Sequence, residues 1–340
     1  MPIPSTGYPV AGIAAPAVPP TPLTPAGSTS NTLVTTGFIP EIWSAKLVEK
    51  FYASTVLSAI SNTDYEGEIQ NQGDRVKIRT KPTITIKDYQ ADGLLGLDRP
   101  SGGSVELYIG VGKYFSLILD DVMEVQSDLN ILSMWSDDAA QQLKIVVDRD
   151  VLGGIVGGAH AKNKGGTAGV ISGSINLGAK STPLAVKAYG VAGTDTTILD
   201  VLLRLGQALD EQNIPEEGRW VVMSAAAGRF IKQSELRQAY LSGDPVSMLR
   251  NGRLGMVDRF TIYISNLLPS NATDATNFAA GEQPVYAGHA HGLTFASQIS
   301  KVETLRSELT FGQILRGLQV YGYQILDSTA LAQAQITLTG

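Results

Sequence analysis

The longest run of helical periodicity lies in the first half of the chain. Asn130 is a plausible N-cap, and the paired glycines at 153–154 and 157–158 provide an end. Between them, apolar residues recur at spacings of three and four: Leu132, Trp135, Ala139, Leu143 and Val146, drifting onto Val147, Val151 and Ile155. The pattern predicts one helix over residues 131–156, roughly 39 Å long at 1.5 Å per residue. A helix of this length is typical of a spine.

Polar and apolar residues alternate on both sides of a glycine-rich connection between residues 75 and 119. Val76 and Ile78 alternate with basic residues, and Ile84 and Ile86 continue the period of two. The return arm carries its apolar residues at Val105, Leu107, Ile109, Val111, Phe115, Leu117 and Leu119. The connection, residues 89–103, exceeds the usual hairpin loop of roughly 2–5 residues. We predict a long two-stranded ribbon, which needs an external surface because isolated ribbons are marginal in water.

The second half of the chain alternates between helical and strand patterns. A helical stripe over 197–213 is followed by a short buried strand at 220–224, a helix around 230–241 and a strand at 260–265. Residues 161–196 are rich in Gly, Ser and Thr and indicate loops with short strands, and residues 318–325 indicate another strand. This order predicts a small α/β lobe.

The N-terminal region differs in composition from the rest. Residues 1–37 contain half of the sixteen prolines and no charged residue, which favours an extended backbone. They are either a disordered tail or an arm that becomes ordered against neighbouring subunits. Residues 38–65 follow as a helical entry segment, with Pro40 in its first turn and Trp43, Leu47 and Phe51 at helical spacing.

Composition limits the classes of protein that the chain can belong to. A length of 340 residues predicts two lobes, and the absence of cysteine excludes disulfides and thiolate chemistry. The net charge is -6, with no Lys/Arg-rich run of the kind that marks a sequence-specific nucleic-acid binder. No apolar run approaches the ~20 residues that span a bilayer, and the N-terminus lacks a secretory signal pattern. We therefore expect a soluble, cytoplasmic protein without a membrane partner.

Candidate chemistry is sparse. Gly110 and Gly112 lack the third glycine of a dinucleotide fingerprint, and Ala179 replaces the glycine that a phosphate loop needs before Lys180. His289 and His291 would lie on one side of a strand and could offer two imidazoles to a metal, but without a supporting third ligand we interpret them as loop histidines. The adjacent pairs Asp120–Asp121 and Asp137–Asp138 diverge on a helix. We expect no catalytic, cofactor-binding or metal-binding residues, and no enzyme.

Four phrases in order carry a resemblance to a known family. They are FIPEIWS at 38–44, GDRVKI at 73–78, NIPEEGRWVV at 213–222 and GMVDRFTIYISN at 255–266. With the order of arm, ribbon, long helix and α/β lobe, the chain over about 38–330 resembles the major capsid proteins of tailed double-stranded-DNA bacteriophages. The resemblance implies an α+β class, the Hong Kong 97-like fold. Its parts would be the arm 1–37, the entry segment 38–65, an E-loop 66–119, a P-domain 120–189 and 301–326 with the spine helix, and an A-domain 190–300 and 327–340.

The resemblance also implies a function. The chain would form hexamers and pentamers of an icosahedral head that encloses DNA without sequence-specific binding, assembled in the host cytoplasm and ending in the virion. Separate scaffolding, portal and decoration proteins are possible partners, and no cofactor is expected. The expected intersubunit contacts at the ribbon tip are Leu94, Leu95, Leu97, Asp98 and Arg99. Lys81 and Lys87 lie in the ribbon, but nothing local identifies an asparagine partner for a covalent cross-link.

Three alternatives stay open at the level of sequence. An encapsulin-like compartment shell shares the fold and would purify with an enzyme cargo rather than DNA. A phage tail-tube or sheath subunit would form open helices instead of closed shells. An oxidoreductase or hydrolase would use the 190–300 lobe as a catalytic domain and would need a convergent polar site.

Overall fold

The computed structural model of the protein describes residues 52–53, 55–65, 75–82, 84–88, 96–126, 130–188, 196–234, 255–308 and 310–339. These residues all belong to one unit, residues 49–340. The predicted arm 1–37 and the entry segment up to residue 51 lie outside the described residues. Helix α1 (Leu57–Ile60) is the helix that the described part of the entry segment contains. Within the described ranges, no helix is both long and apolar enough to cross a membrane.

The predicted ribbon is present at its base. Strands β1 (Arg75–Arg79) and β2 (Ser104–Tyr108) pair antiparallel, with Arg75 opposite Tyr108. The prediction that Ile84 and Ile86 continue the first strand is wrong, because residues 84–88 form no strand. Alternation alone cannot make a strand when no partner satisfies the backbone groups of a segment.

The return arm of the ribbon ends earlier than its alternation predicted. Strand β3 (Val111–Asp120) does not pair with β1 but lies beside β10 (Gly312–Ile325), with Tyr321 opposite Val111 and Gly312 opposite Asp120. Strand β9 (Leu293–Arg306) pairs with the other edge of β10, giving a three-stranded antiparallel sheet in the order β3-β10-β9. Phe115, Leu117 and Leu119 therefore belong to this sheet and not to the ribbon. The predicted strand at 318–325 is confirmed as part of β10.

The predicted spine helix is confirmed. After the short helix α2 (Asp121–Gln126), helix α3 runs from Ile131 to Gly154. The Asn130 side chain caps it by accepting a hydrogen bond from the Ser133 N–H at 3.3 Å. A Cβ on Gly154, its last residue, would overlap the Tyr323 hydroxyl, so the Tyr323 side chain would have to move to accept one. The C-terminal half of α3 is the more buried half, through Ile145, Val147, Val151 and Leu152.

A six-stranded mixed sheet forms the second half of the unit. Its order is β4 (Leu184–Lys187), β11 (Leu331–Thr339), β8 (Glu282–His289), β5 (Arg219–Met223), β7 (Phe260–Ile264) and β6 (Met256–Val257). The pairs β4–β11 and β5–β7 are parallel and the other pairs are antiparallel. Strands β5 and β7 confirm the sequence prediction to within a residue at either end.

Two helices cover one face of this sheet. Helix α4 (Ile198–Glu211) buries the whole predicted stripe: Ile198, Val201, Leu202, Leu205 and Leu209. Thr197 and Asp200 form a capping box at its start. Helix α5 (Ala225–Gln233) begins earlier than the predicted 230–241, because Ser224 accepts a hydrogen bond from the Ala227 N–H and caps it. Residues 235–241 lie outside the described residues.

The central strands of the six-stranded sheet are buried on both faces. Alternate residues of β5 enter different clusters, with Val221 and Met223 packing towards α4 and α5. Trp220 and Val222 pack on the other side with α1 and the C-terminal half of α3. Helices therefore lie on both faces of the sheet, which explains why β5 is apolar at consecutive positions rather than at alternate ones.

Candidate intersubunit surfaces

The base of the ribbon is fixed to the body of the subunit. Ile78 and Leu107 are buried in a cluster with Ala296 of β9. Gly322 of β10 approaches the backbone that follows β2, so closely that a Cβ there would overlap the carbonyl oxygen of Tyr108. The ribbon therefore leaves the body at a defined position, with its apolar face turned inward.

The opposite face of the ribbon is basic, and we call it the outer basic face: Arg75, Lys77, Arg79 and Lys81. All four side chains are exposed. Glu106 lies 3.8 Å from the Arg75 guanidinium and 3.2 Å from the Lys77 amine. The Arg75 guanidinium also lies 5.3 Å from the centroid of the Tyr108 ring. Arg79 and Lys81 make no ion pair with any described carboxylate, so the face has an excess of positive charge.

The distal ribbon, residues 80–103, leaves large apolar side chains in solvent. Ile84 is 68% exposed, Ile86 is 88% exposed and Leu97 is 93% exposed. Of the predicted contact residues, Leu97, Asp98 and Arg99 are exposed, whereas Leu94 and Leu95 lie outside the described residues. Asp98 forms an ion pair with Lys87 at 2.8 Å. This pair, which the sequence alone did not suggest, joins the two sides of the connection.

The three-stranded sheet has one buried face and one exposed face. Leu119 and Leu315 are buried on the first. The exposed face carries an apolar row of Ile118 and Leu305 with Ile314 between them. One row further along the strands, Glu303 pairs with Arg316, and it also pairs with Lys301 at 2.9 Å. Hydrogen bonds from the Lys301 amine and then the Arg316 guanidinium lower the pKa of Glu303.

The end of this sheet is both apolar and acidic, and we call residues 120–126, 307–308 and 310–311 the sheet tip. Phe311 is 84% exposed, and the exposed Val122 and Val125 lie on α2. The Asp121 N–H donates to the Phe311 carbonyl at 3.2 Å, which ties α2 to the β9–β10 connection. Arg306 pairs with Asp121. Asp120 and Glu308 are exposed and form no ion pair with a described cation.

A segment that precedes the ribbon is held on the spine helix by one buried carboxylate. We call residues 55–62 the strap. Val56, Leu57 and Ile60 are buried against α3. Asp148 of α3 accepts hydrogen bonds from the N–H of Leu57 at 2.8 Å and of Val56 at 3.3 Å. At the other end of the strap, Asn62 exchanges backbone hydrogen bonds of 2.8 and 2.9 Å with β9.

Burial raises the pKa of Asp148, and the hydrogen bonds from the Leu57 and Val56 N–H groups act in the opposite direction. The sequence analysis missed this residue. A signal was present, because Asp148 stands three positions before Val151 and therefore on the buried stripe of α3. A carboxylate on such a stripe must be hydrogen-bonded, since an unpaired buried charge is strongly unfavourable.

The histidines and the lysine that the sequence offered as candidates for chemistry make hydrogen bonds within the fold instead. His289 ends β8 and accepts a hydrogen bond from the His291 N–H at 3.1 Å, in a turn and not on one side of a strand. Burial, and then the nearby His291, lowers the pKa of His289. Lys180 donates to the carbonyl oxygens of Ala275 and Thr276 at 3.1 and 2.5 Å. Among the described residues, no group of three His, Asp or Glu side chains could hold a metal ion.

Comparisons with known proteins agree on one family. A sequence model of the phage capsid protein family matches residues 106–334. The solved structure of Mycobacterium phage Che8 is 27% identical, with a TM-score of 0.67 over 89% of this chain and 98% of that chain. The capsid structure of the cyanophage P-SCSP1u has a TM-score of 0.66 at 14% identity, covering 89% and 94% of the two chains. A native GTA particle capsid has a TM-score of 0.61 at 13% identity, covering 91% and 98%. No curated protein sequence matches this chain.

The family match and the fold define the class of protein: a structural subunit of a virion shell. The chain belongs to the phage capsid protein family, as a major capsid protein that is part of the virion. The predicted α+β class is confirmed, and the likeness to phage capsid structures supports the Hong Kong 97-like fold. The encapsulin, tail-protein and enzyme alternatives are not favoured.

Proposed function

We propose that this chain assembles into hexamers and pentamers of a closed icosahedral head that encloses double-stranded DNA. The observation that carries the proposal is the distal ribbon. Its base is anchored to the subunit, but Ile84, Ile86 and Leu97 project into solvent. Burying each of these side chains on a neighbouring subunit would stabilise the contact by about 25 cal/mol per Å² of apolar area removed from water. Repeated at every interface, such contacts favour a closed particle over free subunits.

The division into capsid domains is part of the proposal. We keep residues 120–189 and 301–326 as the P-domain and residues 190–300 and 327–340 as the A-domain, but we shorten the E-loop that the sequence predicted over residues 66–119. The pairing of β3 with β10 favours an E-loop that ends near residue 110, because β3 shares a sheet with strands of the P-domain. The contact residues would be Leu94, Leu95, Leu97, Asp98 and Arg99, and the exposure of Leu97 and Arg99 is compatible with that role.

The same structural role determines what we expect of the subunit's activity, its contact with DNA and its protein partners. We propose that the subunit has no catalytic activity and takes no cofactor, that it encloses DNA without reading its sequence, and that it assembles in the host cytoplasm. A net charge of -6 supports weak contact with packaged DNA, because an acidic wall repels a polyanion. Scaffolding, portal and decoration proteins would be separate chains.

Sedimentation and electron microscopy of the purified protein test this function. We expect closed shells built from rings of six and five, formed with a scaffold if one is required. Replacing residues 89–103 with Asn-Gly, a two-residue hairpin turn, should abolish shells while helical content is retained. A protein that stays monomeric at high concentration, or that forms open tubes, would contradict the proposal.

A point-variant series separates the ribbon contact from general solubility effects. Ile86→Asp and Leu97→Asp place a charge where we expect a neighbour and should block assembly. Ile171→Asp is the matched control, because Ile171 is also highly exposed but lies in the loop beside α4. The control should assemble normally. Equal assembly of all three variants would show that the distal ribbon makes no intersubunit contact.

A further inference from the structure

The chain passes three times between the part that contains α3 and the three-stranded sheet and the part that contains the six-stranded sheet. Each passage includes a short 3-10 turn: Ala161–Asn163 after α3, Ala290–Gly292 between β8 and β9, and Ser328–Ala330 between β10 and β11. We call residues 160–163, 289–292 and 327–330 the joint. The two sheets are therefore connected through turns of one kind.

The three turns of the joint are bonded to one another. The His160 N–H donates to the Ser328 carbonyl at 2.9 Å, and the Leu326 N–H donates to the Gly292 carbonyl at 3.0 Å. The side chain of Asn163, which is fully buried, donates to one carbonyl of the third turn and one of β11. A change in one turn is therefore transmitted directly to the next.

A side chain caps each turn. His160, His289 and Asp327 each accept a hydrogen bond from the backbone N–H two residues later, at 3.2, 3.1 and 2.9 Å. Caps of helical turns are usually Ser, Thr, Asp or Asn. Histidine differs from these because its charge ordinarily changes between about pH 5 and 8. The chain has three histidines, and two of them cap this joint.

We propose that the joint is sensitive to protons: protonation of His160 and His289 removes two of its three caps and loosens the connections between the two sheets. The inference goes beyond the proposed function, because it concerns a conformational change inside one subunit. Acid would weaken the hold of the six-stranded sheet on β9 and β10, the strands that receive the base of the ribbon.

The chemistry of the imidazole makes the two caps incompatible with protonation. A ring nitrogen accepts a hydrogen bond only through its lone pair, and both nitrogens of a protonated histidine are donors. At His160, Nδ1 also lies 3.4 Å from Nε2 of Gln212, so a proton on Nδ1 would face two donors. The charged residues next to these contacts are Lys162 and Lys164 in the same segment, Glu211 on α4 and Asp327 in the third turn.

The surroundings of His289 also disfavour its charged form. Burial and then the nearby His291 lower the pKa of His289, a backbone hydrogen bond with Glu217 acts in the opposite direction, and Arg219 lowers the pKa further. Because the folded pKa is depressed, the stability that comes from the neutral ring is present above the unfolded pKa of about 6.5. It is lost as pH falls through the folded pKa. The joint should therefore be intact at neutral pH and loosen in acid.

The change should stay local. Both sheets pack into one apolar cluster, through Trp220 of β5 and Tyr321 of β10. This cluster contains no histidine, and its packing does not depend on the caps. Loss of two caps should therefore open the joint without unfolding the subunit.

Hydrogen exchange of the purified full-length protein, followed by mass spectrometry at about pH 7.5 and about pH 5, tests the inference. After correction for the intrinsic pH dependence of exchange, protection of the joint should fall about tenfold or more at the lower pH. Protection of α4 should change less than about twofold, because global unfolding is not involved.

Two double variants fix the joint in either state. His160→Asn with His289→Asn keeps an acceptor oxygen near each Nδ1 position and does not titrate, so protection should stay high at both pH values. His160→Ala with His289→Ala has no acceptor, so protection should be low at both. His291→Asn is the matched control, because the cap uses only the backbone N–H of His291. This variant should still loosen in acid, at a slightly higher pH than wild type, since His291 no longer opposes a charge on His289.

Each outcome decides for or against the inference. Equal protection of the wild-type joint at both pH values would overturn it. A loss that persists in the asparagine variant would do the same, because another group would then be the switch, and so would an equal loss in α4. If the asparagine variant does not fold, the alanine variant decides, since high protection at about pH 7.5 would show that the caps do not hold the joint. The shell function is tested separately, by whether wild type forms closed shells.

Discussion

The carboxylate of Asp148 and the backbone N–H of Leu57 form a 2.8 Å hydrogen bond between residues 91 positions apart in the sequence. The first N–H groups of a helix have no partner within that helix, and here the spine helix supplies the acceptor for α1. Asp148 thereby connects the strap to the spine helix.

Removing the carboxylate should loosen the strap. Asp148→Ala leaves the Leu57 and Val56 N–H groups buried without an acceptor, which should lower the free energy of unfolding by about 1–3 kcal/mol. Asp148→Asn keeps one carbonyl oxygen and should cost less. Urea unfolding gives the stability, and hydrogen exchange of residues 55–62 gives the local effect. Asp137→Ala is the control on the exposed side of α3 and should change stability by less than about 0.5 kcal/mol.

The titration of Asp148 should appear in the pH dependence of stability. Burial raises its pKa in the folded state, so the folded protein holds this proton more tightly than the unfolded chain. The stability that comes from this preferential protonation is therefore fully present below the unfolded pKa of about 3.9. It is lost as pH rises through the folded pKa. The stability of wild type relative to Asp148→Asn should decline over that interval. A difference that grows with pH would contradict the raised pKa.

The close packing of the ribbon base against β10 should be sensitive to a single added methyl group. Gly322→Ala would place a Cβ against the Tyr108 carbonyl, which is backbone and cannot rotate away. Overpacking of this kind costs about 1–3 kcal/mol, and proteolysis between residues 80 and 103 should become faster. Gly112→Ala is the matched control in the same sheet, because its Cβ would come no nearer than 3.9 Å to Val320. Equal effects of the two substitutions would show that the close approach has no energetic role.

A surface loop beside α4 should depend on Glu211. Burial opposes ionisation of this side chain, but the N–H groups of Ser172 and Ile171 outweigh that effect and hold its pKa at about 2. Its folded pKa is depressed, so its contribution is present above the unfolded pKa and is lost as pH falls towards 2. We expect Glu211→Gln to speed hydrogen exchange of Ile171 and Ser172 at pH 7. Unchanged exchange would show that the loop is held by its backbone alone.

Local pattern identified the two longest helices, α3 and α4, well. The stripe of α4 and the Asn130 cap of α3 are encoded within a few residues of where they act, so periodicity and capping chemistry suffice. The strands were harder to place. Residues 111–119 alternate as a strand should, but alternation does not name the partner, and β3 pairs with residues 312–321. Ile84 and Ile86 alternate equally well and form no strand.

Strands β8 and β11 were missed for a different reason. Both are interior strands of the six-stranded sheet, and their side chains are buried on both of its faces, so burial does not alternate along them. Gln333 and Gln335 interrupt the apolar run of β11. They can nevertheless be buried, because their side-chain amides hydrogen-bond to the Gly157 N–H and the Asn277 carbonyl. Such partners are distant in sequence. The exposure of residues 97–99 at the ribbon tip could be predicted from the local sequence. The hydrogen bond of Asp148 with Leu57 could not, because the fold brings its partner from 91 positions away.

The pairing of β3 with β10 also sets an order of events during synthesis. A ribosome releases the segment 111–120 well before 312–321, and at 5–20 residues per second the interval is about 10–40 s. Until then neither Ala296 nor Gly322 exists to receive the ribbon, and β4 must also wait for its partner β11. A nascent chain that has not reached residue 322 therefore cannot present a correctly seated ribbon. Association through the ribbon between such chains on neighbouring ribosomes is thereby disfavoured.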